Sequence, residues 1–273
     1  SFGDQTDIRF FRDQKLDPII AINIDGTMND KAGSLSGLHV KKARAAVLEE
    51  LKKKGLIVAQ RQITHRTPTC ERSRDPIEFI NMTEFYVRQI EFKNEMRKIA
   101  DSVTFHAPES KQLLTSWIDS VSIDWPISRR RYYATEIPLW YCNGCNETIL
   151  GPKGTYVQPW KQTAPVDACP KCKGKTFRGE TRVFDTWFDS SNSPIYILQY
   201  GKNDAWFKKH SPCSLRPQGK DIVRTWLYYT LLKCYHLTGK PIFSDAYIHH
   251  HIVDEGRRAE AVHVLTQEVE ALA

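Results

Sequence analysis

The chain has 273 residues, 41% of them hydrophobic and 26% charged, with a formal charge of +7 and a pI near 9.0. That length supports a sizeable core, and the composition excludes a disordered or collagen-like chain; the basic balance suits a polyanionic partner and equally an ordinary lysine-rich surface. No apolar run reaches the length of a membrane span and the first 20 residues are too charged for a secretory signal, so the chain is read as cytoplasmic, where paired cysteines argue for metal rather than disulfides.

Residues 1–65 read as a first unit. The run DPIIAINI (17–24), with Ile19, Ile20, Ile22 and Ile24 between Pro18 and Gly26, predicts a strand. Residues 38–55 predict an amphipathic helix, because Val40, Ala43, Val47, Leu48 and Leu51 recur at helical spacing and Gly55 follows a lysine-rich last turn. LIVAQRQI (56–63) predicts a second strand. The next stretch, 66–140, is mixed: 77–90 has strand character, while 91–103 and 110–121 predict helices. Cys70 there has no partner two residues on and reads as a half-buried thiol. Residues 141–180 are rich in Cys, Gly, Lys and Pro and cannot build much core alone. From 181 to 258 the pattern returns to α/β, with 221–239 as a buried, aromatic-rich helix. The tail, 259–273, is helix-like without marked chemistry.

Four of the seven cysteines form two C-x2-C pairs, Cys142/Cys145 and Cys169/Cys172, separated by 23 residues. Each pair fits a tight turn that aims two thiolates at one point, with Gly144, Pro170 and Gly174 as turn residues. Four soft thiolates suit Zn²⁺, with iron or no metal as the other readings. With every ligand supplied by the protein, no position stays open for water, and the site reads as a structural staple.

The segments around this quartet are DWPISRRRYYATEIPLWYC (124–142), RVFDTWFDSSNSP (182–194) and LRPQGKDIVRTWLYYT (215–230). In this order about a zinc ribbon, they resemble the class I aminoacyl-tRNA synthetases of the branched-chain group. Ile222 in Gly219-Lys220-Asp221-Ile222 is similar to the archaeal-like valyl branch, where isoleucyl members usually carry Gln. AINIDGTMNDKAGSLSGLHVKKAR (21–44) resembles the late part of that branch's editing domain, and PTCERSRDPIEF (68–79) the strand leading back to the core.

The resemblance implies that Gly219 and Asp221 contact the adenosine of ATP or of an aminoacyl-adenylate; a glycine there admits close backbone approach and a carboxylate there can accept from ribose hydroxyls. It implies that Trp187 and Trp226 wall the amino-acid pocket, which suits a small apolar side chain such as valine. Such a pocket rejects the near-isosteric threonine only weakly, so the family adds hydrolytic editing. Asp4 and Asp7 match the family's editing aspartates, where the bland reading is two solvated carboxylates. Arg129, Arg130 and Arg131 suit phosphate contact at the tRNA acceptor end, or are a basic surface run.

The family's HIGH-type and KMSKS-type motifs, which stabilise the ATP phosphates, do not occur in these 273 residues. The expectation is therefore a central fragment of a valine–tRNA ligase, inactive alone in aminoacylation. Its partners are tRNA(Val), valine and ATP, with Mg²⁺ in the parent enzyme and no membrane. A non-catalytic zinc-ribbon tRNA-binding module or a relict fragment is the alternative. The expected fold class is α/β: a partial doubly wound Rossmann-type parallel sheet with an inserted zinc ribbon and part of a β-rich editing domain. Half a sheet exposes an edge, which predicts self-association. His249, His250 and His251 fall near the active-site loop without an assigned role.

Overall fold

The computed structural model describes residues 5–61, 69–70, 73–78, 80 and 82–250. The chain divides into two compact units, 1–83 and 84–273. The division falls later than residue 65, because Glu84 already belongs to the hydrogen-bond network of the second unit. No helix among the described residues is long and apolar enough to cross a membrane.

The first unit contains helix α1 (Gln5–Asp13) and helix α2 (Val40–Lys53). The His39 side chain caps α2 by accepting from the Lys41 N–H at 3.4 Å, and Val40 and Ala43 are its buried residues. Gly55, at φ +65°, closes the helix as the sequence predicts. The isoleucine run 17–24 forms no strand. Ile22 makes one bridge to Met28 across a turn at Gly26, while Ile19 and Ile24 are 80% and 68% exposed. A strand needs a neighbour to satisfy its backbone, and among the described residues this run has none beyond that bridge. Residues 56–61 likewise form no strand, and 62–63 lie outside the described residues. The described part of this unit is thus helices and isolated bridges rather than a sheet.

In the second unit the predicted strand over 77–90 shrinks to β1 (Tyr86–Val87). Helix α3 (Lys93–Ser102) buries Met96, Ile99 and Ala100, a 3–4 spacing that faces one side. Strand β2 (Thr104–Phe105) and helix α4 (Lys111–Ser120) follow; α4 buries Leu114, Thr115 and Ile118. Strand β3 (Trp125–Pro126) pairs antiparallel with β1. Strand β4 (Ser128–Arg129) pairs antiparallel with β8 (Val183–Phe184). Between β4 and β8 lies the ribbon, with β5 (Leu139–Cys142) flanked by β6 (Thr148–Leu150) and β7 (Phe177–Gly179), all antiparallel.

Three short helices come next: α5 (Thr186–Ser190), α6 (Ser193–Ile197) and α7 (Asp204–His210). Strand β9 (Cys213–Gly219) runs into a 3₁₀ turn (Lys220–Ile222), a π-helical turn (Val223–Leu227) and helix α8 (Tyr228–Thr238), which fills the predicted helix 221–239. Gly239, at φ +68°, ends α8, and β10 (Phe243–His249) returns parallel to β9. β10 also pairs parallel with β2, so the sheet order is β2-β10-β9. This is a three-stranded parallel sheet, in keeping with the expected α/β class. α8 is buried nearly all round, and with Met96, Leu114, Leu227, Ile242 and Ile248 it forms the core. The predicted helix 259–273 lies outside the described residues.

Candidate nucleotide site and metal centre

In a parallel sheet with helical crossovers, ligands bind beyond the carboxyl ends of the strands. Here those ends bring Gly219 of β9 opposite His249 of β10. A Cβ on Gly219 would lie 2.5 Å from Asp221 Oδ1 and 3.5 Å from His249 Cε1. The Asp221 carboxylate thus lies directly over the Gly219 Cα, and the φ of −73° at Gly219 is open to any residue. Asp221 is exposed and folds back over the strand end. It lies with Lys220 and Arg224 on one wall of a groove of about 680 Å³, faced by Gln112, Ser116 and Trp117 of α4. The sequence places Gly219 and Asp221 in one motif but gives no sign of the α4 wall, since nothing local links 112–120 to 220–224.

The two tryptophan motifs are joined directly. Trp226, in the π turn, donates from Nε1 to the Ser190 carbonyl at the end of α5, 3.2 Å away. Trp187 opens α5, and its backbone N–H donates to Asp185 Oδ1 at 3.0 Å, making Asp185 the N-cap. The Arg216 guanidinium lies 3.3 Å from the centre of the Trp226 ring. Arg216 is 5% exposed; burial brings it down to about 10, so it stays charged at neutral pH. Its Nε donates to Gln218 Oε1 at 3.1 Å, and Nη2 has no partner among the described residues. Arg216 and Gln218 share the inward face of β9 by the two-residue period, the one signal by which sequence reasoning had access to this cation.

The three adjacent arginines have different surroundings. Arg129 pairs with buried Asp185 and also donates to the Pro126 and Ser128 carbonyls. Arg130 pairs with Glu84 at 3.0 Å. Arg131 alone is exposed without an acidic partner among the described residues. Two of the three predicted phosphate contacts are thus committed to carboxylates distant in sequence.

Glu84 and Glu180 hold the base of the ribbon. Arg182 donates to Glu180 through Nε at 2.8 Å and Nη2 at 2.5 Å, and to Glu84 at 3.2 Å; Tyr141 donates to Glu180 at 2.6 Å. Burial alone would raise the Glu180 carboxyl, but Arg182, Tyr141 and two backbone N–H groups outweigh it and bring it to about 2. A depressed carboxyl contributes stability that is complete above its unfolded value of 4.5 and is lost as pH falls toward 2. Urea unfolding should therefore show wild type more stable than Glu180→Gln by a constant amount above about pH 5, with the gap closing below it. A gap independent of pH down to 2 would refute this linkage.

The cysteine quartet converges. All four Sγ atoms lie within 4.8 Å of one another, with Cys142–Cys172 at 3.4 Å and Cys145–Cys169 at 3.6 Å. A tetrahedral site with Zn–S of about 2.3 Å has sulfurs roughly 3.8 Å apart, so the spacing fits the ion. The residues after each pair, Asn146 and Lys173, share φ near +60°, and their N–H groups donate back to the Cys142 and Cys169 carbonyls. These are two matching turns. Backbone N–H groups of Cys172 and Lys171 bring the Cys169 thiol down to about 7. A Cβ on Gly174 would press on Cys172 Sγ at 3.3 Å and on Cys142 Sγ at 3.4 Å, which explains that glycine. Cys70 is half-buried and lies outside this cluster.

Asp7 lies on α1, and Asp4 lies outside the described residues, as does His251. His249 ends β10, and its ring Nδ1 lies 3.4 Å from the His250 carbonyl. Among the described residues the cysteine quartet is the cluster whose ligand atoms meet.

A parallel β-α-β sheet with its acidic strand end, and a four-cysteine ribbon inserted between β4 and β8, sit within a family match. Residues 29–260 match tRNA synthetases class I (I, L, M and V), and the chain belongs to that family. Relatives within it include valine–tRNA ligases. It is 43% identical over 245 residues to the one from Aeropyrum pernix, covering 89% of this chain and 30% of that protein. It is 42% identical over 267 residues to the one from Pyrobaculum aerophilum, covering 96% and 33%. The chain spans about a third of the length of these curated relatives. Methionyl-tRNA synthetase of Mycobacterium tuberculosis bound by methionyl-adenylate aligns over 76% of this chain and 35% of that one, with 12% identity and a TM-score of 0.45.

Proposed function

We propose that this chain is the part of a valine–tRNA ligase that holds the adenosine and the amino-acid side chain, with a structural zinc ribbon and a portion of the editing domain. The observation that carries it is the β9 end, where the exposed Asp221 carboxylate lies over Gly219 beside the π turn bearing Trp226. Asp221 accepts from ribose hydroxyls. Trp187 and Trp226 wall the valine side chain, and the buried Arg216 stacked on Trp226 fixes that wall. Cys142, Cys145, Cys169 and Cys172 would hold Zn²⁺, which supplies cross-linking of the ribbon and no chemistry on substrate. Asp4 and Asp7 serve the hydrolysis of misattached threonine. ATP, with Mg²⁺, and tRNA(Val) are substrates of the whole protein.

The test is calorimetric titration of the zinc-loaded chain with a non-hydrolysable valyl-adenylate analogue, with the isoleucyl analogue as control. Selective valyl binding, weakened at least about tenfold by Asp221→Ala, is the expected result, since a hydrogen bond to a buried ribose is worth about 1.4 kcal/mol. Equal or absent binding of both analogues would refute the pocket assignment. The same protein should show no valine-dependent ATP–pyrophosphate exchange, because it holds no HIGH- or KMSKS-type group to offset charge at the α-phosphate.

A further inference from the structure

A surface beside the ribbon, apart from the groove and the cysteine centre, carries chemistry of its own. Tyr132, Tyr133 and Tyr156 are 65%, 75% and 66% exposed. Singly, such exposure is ordinary. What is unusual is how two of the rings are held. The Tyr132 and Tyr156 hydroxyls both donate to one oxygen of Glu136, at 3.2 and 2.8 Å. Gln158 donates to that same oxygen at 2.6 Å and lies within 3.3 and 3.0 Å of the two hydroxyls. Glu136 itself is buried. Both rings are thus anchored at their inner ends to a single buried carboxylate while their faces meet solvent. Trp160 packs edge-on against Tyr132, with centroids 5.8 Å apart.

A tethered ring has already lost most of its rotamer freedom, so it meets a partner at little further entropic cost. The tether explains the hydroxyls but not Tyr133, which makes no hydrogen bond among the described residues and is the most exposed of the three. The charge around the rings is one-sided. Arg131 adjoins Tyr132, Lys161 adjoins Trp160, and Lys153 precedes Tyr156; all three cations are exposed and without an acidic partner among the described residues. Residues 129–182 hold ten Lys and Arg against four acidic residues, and two of those four, Glu136 and Glu180, are buried within the networks above. Flat apolar faces set among free cations fit unpaired nucleobases on a phosphate backbone, whereas an apolar protein partner would not call for the cations.

We propose that Tyr132, Tyr133 and Tyr156 form a stacking platform for unpaired RNA bases, with Arg131, Lys153 and Lys161 on the phosphates. The proposal rests on the preceding reading only in taking RNA as the polyanion. It moves the RNA contact from Arg129 and Arg130, which are spent on carboxylates, to the rings beside them.

The test is fluorescence anisotropy of the zinc-loaded full chain with a short labelled single-stranded oligoribonucleotide, with the same sequence as a duplex for comparison. Tyr133→Leu leaves the Glu136 network intact and is expected to weaken single-strand binding by about five- to a hundredfold. Tyr132→Phe keeps the ring face but removes its tether to Glu136, and is expected to weaken binding less than Tyr133→Leu does. Lys153→Gln should weaken binding and flatten its salt dependence without changing the preference for single strands. Wild-type binding by Tyr133→Leu and by Tyr156→Leu, equal affinity for the duplex, or no RNA binding at all would each overturn the platform. Titration of the same variants with the valyl-adenylate analogue separates the two readings. Analogue binding that survives while RNA binding ignores the tyrosines sinks the platform alone. RNA binding that depends on the tyrosines in a chain blind to the analogue supports the platform and sinks the pocket.

Discussion

Removing metal from the zinc-loaded chain is expected to unfold residues 139–180 while the parallel sheet stays folded. The ribbon's strands β5, β6 and β7 have four, three and three residues, shorter than the usual five or six or so. Apart from the cysteines, its buried apolar side chains are Leu139, Trp140, Ile149 and Pro159. That apolar area does not offset the backbone entropy of ordering roughly 40 residues. What holds the two turns together is the meeting of four sulfurs within 4.8 Å. Structural zinc in small domains contributes on the order of 10 kcal/mol at neutral pH. The measurement is hydrogen exchange before and after chelation, with metal counted by native mass spectrometry. One zinc per chain is expected, and Cys169→Ser should lose it. On chelation, amides of β5 to β7 should exchange as open chain, while those of α3, α4, α8, β9 and β10 keep their protection. Full protection of the ribbon without metal would show that Trp140, which donates to the Gln162 carbonyl at 3.0 Å, and its neighbours suffice as a core.

Much of this fold is written locally. α2, α3, α4 and the long segment ending in α8 follow apolar spacing, and the paired cysteines declare their turns by a two-residue gap. Sequence reading failed where an element depends on a distant partner. The isoleucine run 17–24 has the right residues for a strand, but hydrophobicity does not state whether a neighbouring strand exists, and the run makes one bridge. The site divides the same way. Gly219 and Asp221 stand together in one motif, which makes them legible. The pairing of Arg129 and Arg130 was not legible, because their carboxylates lie 56 and 46 residues away along the chain. Arg216 was missed because a lone arginine in a strand reads as surface, and only the register of β9 against β10 turns it inward beneath Trp226.

Asp185→Ala is expected to destabilise the second unit by about 3 kcal/mol or more, and Asp185→Asn by nearly as much. Asp185 is 5% exposed and gathers three donors, two from residues 125–129 and one from the start of α5. Oδ1 caps α5 through the Trp187 N–H at 3.0 Å, while Oδ2 accepts from Trp125 Nε1 at 3.2 Å and from the Arg129 guanidinium. Loss of the cap alone costs about 1 kcal/mol. The Trp125 donor is the costlier orphan, since its ring is 1% exposed and stacks on Tyr229 at 3.8 Å, out of reach of water. Arg129 adds less than a fully buried charge would, because its side chain is 42% exposed and can turn to solvent. Asparagine does not rescue the site. It supplies one oxygen, and the amide that replaces the other is a donor pointed at two donors. Arg129→Met is expected to be the milder change, as Asp185 keeps two N–H partners. In the double variant, Asp185→Asn with Arg129→Met, the introduced amide no longer faces a cation, so the two effects should fall short of their sum. Chemical denaturation of the four proteins completes that cycle. Strict additivity, or an Asp185→Asn variant as stable as wild type, would mean that the carboxylate is not the joint between β4 and α5. If it is the joint, the same substitutions displace Trp187, and binding of the valyl-adenylate analogue should fall at temperatures where the variants are still folded.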